Sequence, residues 1–172
     1  LTNEGSLTAV ASSVAMAQSS MVSKSGKASL SPSTWGGATS SEAAATGVAT
    51  GSGIDGITNS GAVTAVATSV TETGVIASST NGQATADSTS KAKSTAIGID
   101  MGNDGDTLGN TGEITAVATA TAGSIAFAFS DKGDASTGKK GMHKGVAEAE
   151  AVAVGISADG TEGTSETDKD LI

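Results

Sequence analysis

The chain has 172 residues, of which 24 are Gly and only one is Pro, with no Cys and a formal net charge of -9. Five Leu, nine Ile, twelve Val and two Phe make about 16% of the chain, too little for a thick globular core. An acidic chain with nine Lys and Arg and 2% aromatics does not suit nucleic acid. No apolar run approaches the roughly 20 residues that span a bilayer.

The first predicted element is a turn followed by a strand, and it occurs three times. Asn3-Glu4-Gly5-Ser6-Leu7-Thr8-Ala9-Val10-Ala11 returns as Asn59-Ser60-Gly61-Ala62-Val63-Thr64-Ala65-Val66-Ala67, and again as Asn110-Thr111-Gly112-Glu113-Ile114-Thr115-Ala116-Val117-Ala118. Repetition fixes architecture before propensity is consulted. Asn-x-Gly opens each copy with residues tolerant of tight turns. In the third copy Ile114, Ala116, Ala118 and Ala120 alternate with Thr115, Val117, Thr119 and Thr121. That is the period of a strand, enriched in β-branched residues on one side. Ala9 to Ala17 alone could read as helix, but the Thr, Val and Gly positions favour strand.

Further along, Gly26-Lys27-Ala28-Ser29, Gly82-Gln83-Ala84-Thr85 and Gly133-Asp134-Ala135-Ser136 align, as do Ala45-Thr46-Gly47-Val48, Ala96-Ile97-Gly98-Ile99 and Ala153-Val154-Gly155-Ile156. Each unit closes on an acidic, Gly-rich turn. The units run approximately 1–56, 57–107 and 108–172, as one repeat domain. Insertions are expected at Leu30 to Ser41 in the first unit and Ser157 to Thr167 in the third.

These features predict an all-β fold: a repetitive parallel β-solenoid of three units of about 50 residues, each one wide coil or two ordinary ones. Because Thr80-Asn81-Gly82-Gln83 carries a hairpin signature, the alternative is an antiparallel β-sandwich or flattened barrel built from three equivalent hairpin groups. Small inward residues imply a thin cross-section, ordered by backbone ladders more than by bulk burial.

Around Asn59 to Ala67 the sequence resembles the β-helical repeat passengers of bacterial autotransporters and large surface adhesins. The resemblance implies secretion to the cell surface, an elongated β-helix and an adhesive or scaffolding role.

Candidate chemistry is sparse. Asp100, Asn103, Asp104 and Asp106 resemble one turn of a calcium-binding Gly/Asp repeat, against the plainer reading of tight solvated turns. His143, the only His, falls in a basic Gly-broken loop, and no nucleophile elbow occurs. Glu148 and Glu150 are expected on a solvated charged face. Phe127 and Phe129 share one strand face, where they are expected to pack. Trp35 reads either as a cover on the strand stack or as an exposed anchor. Trp35, Leu1, Leu171 and Ile172 are the candidate interaction residues.

The expectation is therefore a non-enzymatic extracellular structural protein without a cofactor, calcium aside. It would form a fibre, sheath or adhesin stalk by pairing its ends with further copies of itself or tandem units. The alternative is an adhesin module that binds a ligand or surface glycan through the loops Leu30 to Ser41 and Lys139 to Lys144.

Overall fold

In a computed structural model, which describes residues 1–30, 39–103, 105–137 and 146–158, the described residues form twelve strands and no helix. Each unit is one wide coil of four strands. The first holds β1 (Thr2–Asn3), β2 (Ser6–Ser23), β3 (Ala28–Leu30) and β4 (Thr39–Ala49). The second holds β5 (Gly56–Asn59), β6 (Ala62–Asn81), β7 (Ala84–Ala86) and β8 (Thr89–Asp100). The third holds β9 (Thr107–Asn110), β10 (Ile114–Lys132), β11 (Ala135–Thr137) and β12 (Val146–Ser157).

Equivalent strands stack in parallel into four three-stranded sheets: β1-β5-β9, β2-β6-β10, β3-β7-β11 and β4-β8-β12. Register follows the sequence repeat, with Asn3 on Asn59, Thr8 on Thr64 and Thr64 under Thr115. The parallel β-solenoid is thus the fold, with one coil per unit, and the antiparallel alternative is excluded. The apparent hairpin at Asn81-Gly82 is a corner, where Gly82 at φ 153° turns the chain from β6 into β7.

The two broad sheets, β2-β6-β10 and β4-β8-β12, face each other across a thin interior. Alternation in β6 sends Val63, Ala65, Ala67, Ser69, Thr71, Val75 and Ala77 inward, all buried. The interior has three parts. At one end Val48, Ile57, Val63, Ile99, Met101 and Leu108 pack together, and the middle is alanine, with Ala43, Ala45, Ala65, Ala67 and Ala96. At the other end Leu30, Val75, Ala77 and the short sheet β3-β7-β11 close the coil.

Between the alanine and far-end zones lies a hydroxyl seam. Ser69 Oγ donates to the Ser41 carbonyl at 2.9 Å, Thr71 Oγ1 to Lys91 at 2.8 Å and Ser94 Oγ to Thr119 at 2.6 Å. Ser41 Oγ also hydrogen-bonds with Thr71 Oγ1 at 2.6 Å. A serine hydroxyl reaching the facing sheet's carbonyl holds the backbones nearer than the ~10 Å of sheets spaced by large side chains. Each such bond contributes about 0.5–1.5 kcal/mol net, and leaving its buried partner unmet costs more.

Insertions leave at one corner. Eight residues separate Leu30 from Thr39 and Thr137 from Val146, where two separate Ala86 from Thr89. In the third unit the strand register thus places extra residues before Val146, and the Ser157 to Thr167 insertion expected from sequence lies, beyond Ala158, outside the described residues. Parallel register forces this corner, because strands on either side of it remain aligned.

Candidate functional site

The features that distinguish this surface are its two open ends and its two unlike broad faces. At the ends, the strands of the first and third coils each pair with the middle coil on one side only, among the described residues. An unpaired strand edge is a template for another strand.

Ladders of identical side chains run toward both ends. Asn3 Nδ2 donates to Asn59 Oδ1 at 2.7 Å, and Asn59 Nδ2 donates to Asn110 Oδ1 at 2.6 Å. The ladder has a direction, each amide donating to the coil above. Asn59 is 1% exposed, so its amide is satisfied almost wholly by its neighbours.

Two glycine columns are also directional, one facing the coil below and the other the coil above. A Cβ on Gly61 would lie 1.8 Å from the Gly5 carbonyl oxygen, and one on Gly112 would lie 1.9 Å from that of Gly61. In a second column a Cβ on Gly47 would meet Val63 Cγ1 at 2.5 Å and the Gly98 oxygen at 2.6 Å. One on Gly98 would meet Ile114 Cγ2 at 2.3 Å and the Gly155 oxygen at 2.5 Å. Inside the stack these positions admit only glycine, because the next coil occupies the side-chain volume. At the ends the demand vanishes: among the described residues Gly5 and Gly155 meet nothing within 4 Å, and neither has a left-handed φ. Leu7, first member of the column Leu7-Val63-Ile114, is 37% exposed while Val63 is fully buried.

The outer face of β4-β8-β12 is charged. Register aligns Ser40, Lys91 and Glu148 in one column and Glu42, Lys93 and Glu150 in the next. Lys91 Nζ pairs with Glu148 at 2.9 Å, both exposed, so the carboxylates form the solvated face their spacing suggested.

The outer face of β2-β6-β10 sets large apolar side chains among Thr and Ser. Val10, Val14, Met16 and Val22 are 60–78% exposed on the first coil. Val117, Ile125, Phe127 and Phe129 are 45–58% exposed on the third. Phe127 and Phe129 stack at 6.2 Å, packing on one another but not into the interior. Gly74 and Gly123 leave a shallow depression of about 480 Å³ between Met16 and Ile125, beside Glu72.

The acidic turn serves local structure. Asp106 is 2% exposed and its Oδ1 accepts the Asp55 N–H at 2.7 Å, tying two coils. Asp100 Oδ1 accepts the Gly102 N–H at 3.2 Å, and exposed Asn103 bridges to Ser52. Among the described residues no three His, Cys, Asp or Glu converge on a metal-sized site. Asp104, Trp35, His143, Leu171 and Ile172 lie outside the described residues, as do most of both loops. Leu1 is 65% exposed at the edge of the first coil, its carbonyl accepting the Thr58 N–H at 2.8 Å. Sequence reasoning missed the end glycines and the apolar face. The glycine columns were visible in the aligned repeats, and the face in the outward Val, Ile and Phe positions.

No protein-family model matches the chain, and no curated protein or solved structure matches it either.

Proposed function

We propose that this chain is an extracellular structural protein that builds a fibre, sheath or adhesin stalk by adding coils end to end, from further copies or tandem units. The observation that carries this reading is the pair of end glycines. Nothing among the described residues requires glycine at 5 or 155, yet a further coil in the same register would require it at both. Leu7 of an added copy would sit against Gly155 as Val63 sits against Gly47 and Ile114 against Gly98. Asn110 Nδ2, which donates to its own Gly112 carbonyl at 3.2 Å, would turn to the next Asn3 and continue the ladder. Such a contact is heterologous and does not close, so it propagates. An outside location is supported by the acidic charge and the abundance of small polar residues.

Negative-stain microscopy of the purified chain tests the reading, with Gly155→Val as the control. Filaments are expected from the wild type. The variant is expected to keep its β circular dichroism and melting temperature but to remain as short particles. Filaments undiminished by Gly155→Val overturn the reading. Discrete wild-type particles at all concentrations also overturn it, and favour a binding module acting through its loops.

A further inference from the structure

We infer that the outer face of β2-β6-β10 is a second assembly surface, by which two copies pair side by side. The inference stands apart from end-to-end growth, since it uses a face that no added coil would cover. Three observations carry it.

First, the face is long and almost uncharged. All three strands run without a bulge in continuous register from Thr8, Thr64 and Thr115 to Val22, Ser78 and Phe129. Glu72 is the one ionisable residue among those outward positions. Second, the area suits a pair. At about 3.3 Å per residue and about 4.8 Å between strands the face covers about 700 Å². Over the stretch Thr68 to Ser78 and its equivalents in the other two coils, face-to-face pairing buries about 1,000 Å² in total, the least that a stable protein interface needs. Eleven of its 24 outward positions carry Val, Ile, Met or Phe, set among Thr and Ser.

Third, the face complements itself. A two-fold axis along the stacking direction, passing between the Glu72 and Gly74 columns, brings those columns opposite each other. Ile125 then meets Gly123 of the second copy, and Glu72 meets Gly74. Further out, Phe127 meets Thr121 and Phe129 meets Thr119. Along much of the face a large residue faces a small one, the relation two interlocking flat sheets need. The Gly74 and Gly123 depression supplies the space at the axis. The opposite face, with Glu42, Lys93 and Glu150, would stay in water and limit lateral growth to a pair.

Light scattering with size-exclusion chromatography tests this in the Gly155→Val background, where end growth is blocked. The expected mass is twice 16.3 kDa at micromolar concentration. The double substitution Val70→Lys/Ile125→Lys, both outward-facing, should return one copy with unchanged circular dichroism. Since the chain has no Cys, Glu72→Cys and Gly74→Cys variants mixed together should form mixed disulfides at least tenfold faster than either variant alone. A 16.3 kDa particle at high concentration, or a dimer indifferent to the two lysines, overturns the pairing. So does a single copy that floats with neutral phosphatidylcholine vesicles, which would assign the face to lipid. Equal disulfide rates in mixed and unmixed samples overturn the axis.

Discussion

At the scale of single residues, glycine and the hydroxyls decide whether coils can approach. Gly98→Ala would place a methyl 2.3 Å from Ile114 Cγ2 and 2.5 Å from a carbonyl oxygen. We expect it to lower stability by about 1–3 kcal/mol, as overpacking does. Gly155→Ala, in the same column with open space beyond it, should leave the unfolding midpoint of the single copy unmoved; paired denaturant titrations measure the contrast. Thr71→Val keeps the shape but removes the donor to Lys91 and the partner of Ser41. A loss of about 1–3 kcal/mol is expected from leaving buried polar groups unmet, read from the same titration. At the acidic turn, Asp100 and Asp106 are already acceptors for backbone amides. Chelator and added Ca²⁺ are expected to leave the thermal transition where it is; a rise with Ca²⁺ would support the four-ligand reading with Asp104.

At the scale of the element, parallel stacking turns each sequence position into a column. Lys93 lies between Glu42 and Glu150 at strand spacing, so one cation offsets two carboxylates. Lys93→Glu would put three like charges in a row. Its melting temperature should fall in dilute buffer and recover in part as salt screens the repulsion. The same columns explain why alanine serves as a strand residue here. Its weak β propensity is outweighed by ladder hydrogen bonds on both edges and by an interior only wide enough for a methyl.

For the whole molecule, end-to-end growth has a predictable weak point. Continued register sets Glu150 of one copy against Glu42 of the next, about 4.8 Å apart, the strand spacing. Filament growth followed by turbidity should thus be slow at low ionic strength and faster with added salt. Glu42→Lys should remove most of that dependence, because it restores the alternation seen within the stack.

Much of this architecture was legible in the chain itself. Asn3, Asn59 and Asn110 announced three equivalent units, and the alternation around Ile114 announced strands and their two faces. Both are local: a repeat is visible wherever it is written, and side-chain period follows from backbone geometry. Which face turns inward depended on the opposing sheet. Ala and Val alternate with similar apolar weight, and only the narrow gap between β6 and β8 selects the smaller set for the interior. The hairpin signature at Asn81-Gly82 misled for the same reason, since a corner and a hairpin need the same local backbone and differ in what the next strand meets. The value of Gly155 and Leu7 likewise appeared only in three dimensions. A cavity beside a glycine belongs to the next coil, whose side chain fills it, as Val63 does beside Gly47 and Ile114 beside Gly98.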